Sequence, residues 1–155
     1  MRFKGKKPIA SYKDTFCLKT ALNPIIGEAV RKFIEVKNGN KSEWFGVPTG
    51  ALLRHGLVSE KQSEDLEYCD KVWDEVLEKI SFAFNAKAPD ISDYDFDYDY
   101  IPSGVDPEYG QCYTMQLREG TEAENERYDE DMKEYERKVK EGMELFCKFY
   151  DNLWW

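Results

Sequence analysis

The pattern that most constrains this fold is the last one in the chain. Thr121, with Glu124 three residues on, forms a capping box, after which Tyr128, Met132, Tyr135, Val139, Met143, Phe146, Phe149 or Tyr150, and Leu153 recur at steps of three and four. Five aromatics, Phe146, Phe149, Tyr150, Trp154 and Trp155, fall within the final ten positions. Aromatics at that density must be buried or presented to a partner, so the expectation is a helix over 122–153 that ends in the core. Glu134 with Lys138, Glu136 with Lys140 and Glu144 with Lys148 stand four apart in the favourable order for its outer face. Gly142 costs about 1 kcal/mol relative to alanine inside a helix, which predicts a close crossing with a second helix.

That second helix is expected over 60–86. Ser59 and Gln62 form another capping box, and Leu66, Cys69, Val72, Trp73, Val76, Leu77, Ile80, Ala83 and Phe84 make one apolar face. Pro89 ends it, because the residue before a proline is pushed out of the helical region. A third helix is expected over 23–38. Asn23 is its cap, Pro24 its first residue, and Ile25, Ile26, Ala29, Val30, Phe33 and Ile34 its apolar face, with Asn38-Gly39 as the stop. Residues 1–22 read as a basic arm, irregular or in short strands. Residues 40–59, with Gly46, Pro48, Gly50 and Gly56, read as an ordered loop holding one helical turn near Ala51 to His55.

Residues 90–117 differ in kind. From 88 to 117 there are seven acidic residues and no Lys or Arg. Within this stretch Tyr94-Asp95-Phe96-Asp97-Tyr98-Asp99-Tyr100 alternates strictly, which on a strand puts four aromatics on one face and three aspartates on the other. Pro102, Gly104, Pro107 and Gly110 read as a turn-rich connection. Gln111 to Leu117 then returns, with Cys112, Thr114 and Gln116 on one face and Tyr113, Met115 and Leu117 on the other. The expectation is a β-hairpin rather than a disordered acidic loop, since four aromatics in register are costly to leave in water. The chain as a whole therefore reads as one mainly α (α+β) domain over 1–155, three principal helices with an inserted aromatic-acidic β-hairpin. Its 155 residues, 41% hydrophobic, suffice for a core.

Two segments carry a resemblance. Residues 70–84, DKVWDEVLEKISFAF, and 138–154, KVKEGMELFCKFYDNLW, resemble a group of small uncharacterised tailed-bacteriophage proteins. Members carry a W-D-E-hydrophobic-L-x-K segment ending in A-F and a terminal E-G-x-x-L-F-x-K helix closing on L-W. The resemblance implies a phage origin and a mainly helical fold and brings no activity. The acidic-aromatic insert departs from the group's pattern, which makes it the place for any function special to this chain.

Net charge is −9, against nucleic acid as a direct partner, since such binders carry a basic excess. The charge is uneven. Residues 1–41 hold ten Lys/Arg against three acidic groups, and the rest hold twelve against twenty-eight, blocks that attract each other within a fold or between subunits and are compatible with a homo-oligomer. No apolar run is long enough to span a bilayer, and the basic start has no hydrophobic stretch after it, so a membrane is not an expected partner and the cytoplasm of the host cell is the expected location.

Chemistry-bearing motifs are sparse. Cys17, Cys69, Cys112 and Cys147 are isolated and read as reduced thiols, with Cys69 and Cys147 inside apolar helical patterns. His55, the one histidine, reads as a helix C-terminal residue. Asp95, Asp97 and Asp99 give the start of a calcium loop, but Tyr100 stands where that loop needs glycine and Asp106 where it needs glutamate. Alternate strand residues are about 6.7 Å apart, near the spacing of phosphates, so the same row could mimic nucleic acid, or simply guard an exposed edge. Trp44, Tyr94, Tyr98, Trp154 and Trp155 could stack on a nucleotide, with Lys4, Lys6 and Lys7 on its phosphates, although there is no glycine-rich phosphate loop. No catalytic motif is present, and neither catalytic residues, a metal nor a cofactor is expected. The expected role is that of a non-enzymatic phage accessory protein that binds, and inhibits, a host or antiphage-defence protein. Its candidate binding residues are Asp93, Tyr94, Asp95, Phe96, Asp97, Tyr98, Asp99, Tyr100, Trp154 and Trp155. The alternative is a small virion or assembly protein; a nucleotide-sequestering protein or a metal-dependent enzyme comes third.

Overall fold

Ridges of apolar side chains at helical period decide the architecture, and the computed structural model describes it for residues 17–39 and 46–153, with the backbone of two short strands at 2–4 and 7–9. The order is β1 (Arg2–Lys4), β2 (Lys7–Ile9), α1 (Leu18–Asn38), α2 (Thr49–Arg54), α3 (Glu60–Ser63), α4 (Leu66–Asn85), β3 (Tyr98–Asp106), β4 (Gly110–Leu117) and α5 (Glu122–Phe149). One turn of 3-10 helix sits at Ile91–Asp93 and another at Tyr150–Asn152. The fold is mainly α, three principal helices with an antiparallel hairpin between the second and third, as the periodicities predict. β1 and β2 pair antiparallel, so the basic arm carries short strands.

The chain divides into two compact units, residues 1–86 with 137–155, and residues 87–136. In the first, α4 is the central element. Its Cys69, Trp73, Val76, Leu77, Ile80, Ala83 and Phe84 are all buried, seven positions on one face spaced three and four apart. α1 lies antiparallel along it: Gly27 meets its C-terminal end, where Asn85 Nδ2 donates to the Gly27 carbonyl at 3.1 Å, and Lys37 meets its start. A Cβ on Gly27 would run into the Asn85 side chain and lie 3.1 Å from the Phe84 carbonyl oxygen.

The crossing predicted from Gly142 is present. A Cβ there would collide with the Lys79 carbonyl and lie 2.7 Å from Ala83 Cβ. Around the crossing, Lys79 Nζ and Glu141 Oε1 are 2.7 Å apart, and this bond holds the Glu141 carboxyl below its ordinary pKa, with Arg137 adding to it. Further along, Phe149 packs on Trp73 at 5.3 Å between ring centroids and Phe146 on Phe84 at 4.9 Å. His55, the C-cap of α2, sets its ring edge-on to Phe149 at 5.1 Å.

Several expectations need correction. α1 starts at Leu18 and not at Asn23: Ala21 N–H already bonds the Cys17 carbonyl, so the helix is running before Pro24, which forfeits one backbone bond inside it. The helix expected over 60–86 is two. The Ser59–Gln62 capping box closes the single turn α3, and Asp65 then caps α4 by accepting from Tyr68 N at 3.0 Å. Leu66, in that first turn, is exposed. α5 ends at Phe149 in a 3-10 turn rather than running to 153. Within it Leu145, absent from the expected stripe, is buried, whereas Met143 and, in the 3-10 turn, Tyr150 face solvent. Of the four thiols only Cys69 is buried; Cys147 is exposed.

Candidate functional site

The expected binding residues fall in the second unit, apart from Trp154 and Trp155, which lie outside the described residues, as do Lys6 and Trp44. Asp90 opens the segment: its carboxylate accepts from Ser92 N at 3.0 Å and Ser92 Oγ at 2.8 Å, bonds that lower its pKa. Asp93 then ends the short 3-10 turn and is exposed.

The alternation from Tyr94 to Tyr100 is real in its sidedness but is not a strand throughout. β3 begins only at Tyr98. Tyr94, Phe96 and Tyr98 nevertheless turn to one side, onto the first turns of α5. Tyr94 and Phe96 lie 5.1 and 5.6 Å from the Tyr128 ring, and Phe96 lies 6.0 Å from Tyr98. The Tyr94 hydroxyl donates to Asp131 at 2.7 Å, which raises the phenol's pKa, and the Arg127 guanidinium sits 4.8 Å from the Tyr94 ring. Tyr98 donates to Asn125 Oδ1 at 3.3 Å. These three aromatics are therefore the half-buried seam of the unit, and the fourth, Tyr100, is free of it and exposed.

The aspartates do not form an evenly spaced row. Only Asp99 lies in β3. Arg118, just past β4, reaches both Asp97 Oδ2 at 3.1 Å and Asp99 Nε-to-Oδ1 at 3.2 Å, while its N–H bonds the Asp97 carbonyl at 2.9 Å. Asp95 is exposed. Two of the three carboxylates thus brace the base of the hairpin. Among the described residues no three His, Cys, Asp or Glu side chains converge as metal ligands.

The hairpin runs further than expected. Pro102 and Gly104 lie within β3 and not in the connection, which is Pro107-Glu108-Tyr109. Asp106 closes that turn by accepting from Glu108 N at 2.8 Å and Tyr109 N at 2.9 Å, bonds that lower its pKa, and Gly110 follows at φ 79°, a conformation that favours glycine. A bulge at Ser103 absorbs the irregularity, since Pro102 pairs with Tyr113 and Gly104 with Cys112.

This register sorts the side chains. Asp99 with Gln116, Ile101 with Thr114, Gly104 with Cys112 and Asp106 with Gly110 share one face. The other holds Tyr98 with Leu117, Tyr100 with Met115, Pro102 with Tyr113 and, past the bulge, Val105 with Gln111. Its inner pair is half-buried, but beyond it Tyr100 is 65% exposed, Met115 55%, Tyr113 56% and Val105 75%. The outcome is an apolar strip in solvent, without a charged residue along it, on the most acidic part of the chain. Sequence reasoning placed Tyr113, Met115 and Leu117 together and missed their continuation through Pro102 and Val105, because it read those residues as turn. Compared with known protein families, with curated proteins and with solved structures, the chain matches none.

Proposed function

We infer that this is a non-enzymatic binding protein of phage origin that acts by docking on, and inhibiting, a protein of the host cell or of its antiphage defence. The observation that carries the reading is the solvent-facing apolar strip Tyr100, Met115, Pro102, Tyr113 and Val105 on one face of a hairpin whose other face carries Asp99, Gln116, Thr114 and Asp106 beside Ile101. A small domain gains nothing in stability from large side chains left in water, and contiguous exposed apolar surface marks interaction sites. The phage origin rests on the resemblance of 70–84 and 138–154 and on nothing in the hairpin. The proposed binding surface moves accordingly: Tyr94, Phe96 and Tyr98 are used up in packing, Asp97 and Asp99 in pairing with Arg118, and Tyr100 is the expected residue that belongs to it.

The test is affinity capture from infected host cells with the full chain as bait. The expected result is one host or defence protein recovered in stoichiometric amount and inhibited by the purified protein. Recovery of the protein in purified virions, with no host protein captured, overturns the reading in favour of an assembly role.

A further inference from the structure

We propose that the apolar hairpin strip is built for one kind of partner, a protein surface whose apolar centre is rimmed by Lys and Arg. This deepens the reading of the chain as a binding protein and rests on it. The argument is charge complementarity. Residues 87–136 carry sixteen Asp/Glu against four Lys/Arg, so this unit accounts for more than the whole negative charge of the chain. The strip itself is uncharged, while Glu108 stands in the turn at its outer end and Glu119 two residues past Leu117 at its base; Asp99 and Asp106 lie on the opposite face of the hairpin. Asp97 and Asp99, at the base of the hairpin, are engaged by Arg118. An apolar centre with a rim of one sign is the anatomy of a protein interface, and the rim sets the sign of the partner.

The same charges weigh against other occupants. Anionic lipid and nucleic acid are repelled by a unit of this sign. A second copy docked strip to strip would bring two such units together, like charge on like. The strip is also too small to act by itself, since it offers five residues, Tyr100, Pro102, Val105, Tyr113 and Met115, where one side of a standard interface uses about 20–30. The acidic rim must therefore contribute to recognition, and binding should weaken with salt.

The experiment uses three fluorescent ten-residue peptides against the full chain: alternating Val and Lys, alternating Ser and Lys, and alternating Val and Glu. Fluorescence anisotropy should show the Val-Lys peptide bound, the Ser-Lys peptide at least tenfold weaker, and the Val-Glu peptide unbound. Tyr100→Ser/Tyr113→Ser should lose at least tenfold for the Val-Lys peptide, and Glu108→Lys/Glu119→Lys several-fold with the apolar strip untouched. The second variant guards against a hairpin weakened by the first, and unchanged ring-current shifts of Tyr94 and Tyr128 show that the seam persists in both. Equal binding of the Val-Lys and Ser-Lys peptides, wild-type affinity in either variant, or sedimentation showing a dimer that Tyr100→Ser/Tyr113→Ser abolishes, each overturns the proposal. Its failure is separable from that of the functional reading. A host protein captured equally by wild type and by Tyr100→Ser/Tyr113→Ser rejects the strip and keeps the binding role. Peptides that behave as expected, with no host protein captured, keep the strip and reject the role.

Discussion

Gly142 and Lys37 show how single residues set the helix packing. At Gly142 two effects oppose each other: alanine favours a helix interior by about 1 kcal/mol, whereas overpacking a tight contact costs about 1–3 kcal/mol. The obstacle is the Lys79 backbone carbonyl and not the far end of a flexible side chain, so it cannot swing away. Gly142→Ala should therefore lower stability by about 1–2 kcal/mol in urea unfolding, and a stabilised variant would mean that α4 and α5 do not cross there. Lys37 is 7% exposed and places Nζ 2.8 Å from Asp70 and 2.6 Å from Asp74. Burial pulls its pKa down, but the two carboxylates outweigh burial and raise it above 10.5. A raised folded pKa means that stabilisation is complete below the unfolded value and disappears as pH climbs through the folded one. Lys37→Met should cost about 1–2 kcal/mol at pH 7, because both aspartates stay partly in water, and the gap to wild type should close above pH 10.5. A gap that persists at high pH would assign Lys37 to packing alone.

At the scale of elements, α4 and α5 meet around Phe149, which is fully buried against Trp73 and His55. Phe149→Ala should cost about 3–5 kcal/mol by denaturant titration, and Tyr150→Ala, on the exposed neighbour, less than about 1 kcal/mol. Both lie in the same aromatic run, so comparable losses would refute the assigned helix face. The helical period made the α4 face and the Gly142 crossing legible in the sequence, because burial on one side writes itself into spacing. The end of α5 was less legible: Met143 and Leu145 are both apolar, and the contact of Gly142 with Lys79 and Ala83 is what puts Leu145, three residues on, in the interior and Met143 in solvent. Boundaries failed where a local signal had two readings. Asn23-Pro24 is a good helix start, yet a helix begun at Leu18 tolerates the proline; Ser59-Gln62 is a good cap, yet it closes one turn before Asp65 begins another. In the hairpin, Pro102 and Gly104 resemble a turn, and only cross-strand pairing with Tyr113 and Cys112 makes them a bulged strand. The sidedness of Tyr94, Phe96 and Tyr98 was visible from their alternation; their burial on Tyr128 and the Arg118 clamp depend on residues far along the chain.

For the molecule as a whole, burial and charge divide along the same line. Every residue described as buried belongs to 1–86 or 137–155, and between 87 and 136 none is. The second unit holds together through half-buried rings, the hydrogen bonds of Tyr94 and Tyr98, and a two-stranded ladder, while its sixteen acidic groups repel one another. Hairpins of two strands are marginal by themselves, and regions with few buried apolar contacts open at lower free energy than the core. Hydrogen exchange should therefore separate the two: amides of β3 and β4 should exchange through openings several kcal/mol below those that expose Leu77 and Ile80 in α4. Salt gives the sharper test, because a Debye length of about 10 Å at 0.1 M shrinks to about 3 Å at 1 M. Raising ionic strength screens the repulsion among exposed carboxylates, so β3 and β4 amides should gain protection with salt. Protection at Leu77 and Ile80, inside an apolar core, should change little. Exchange at equal free energy in both units, or a hairpin that loses protection as salt rises, would show that the ion pairs of Arg118 outweigh the acidic repulsion and that the unit is held by charge rather than by its aromatic seam.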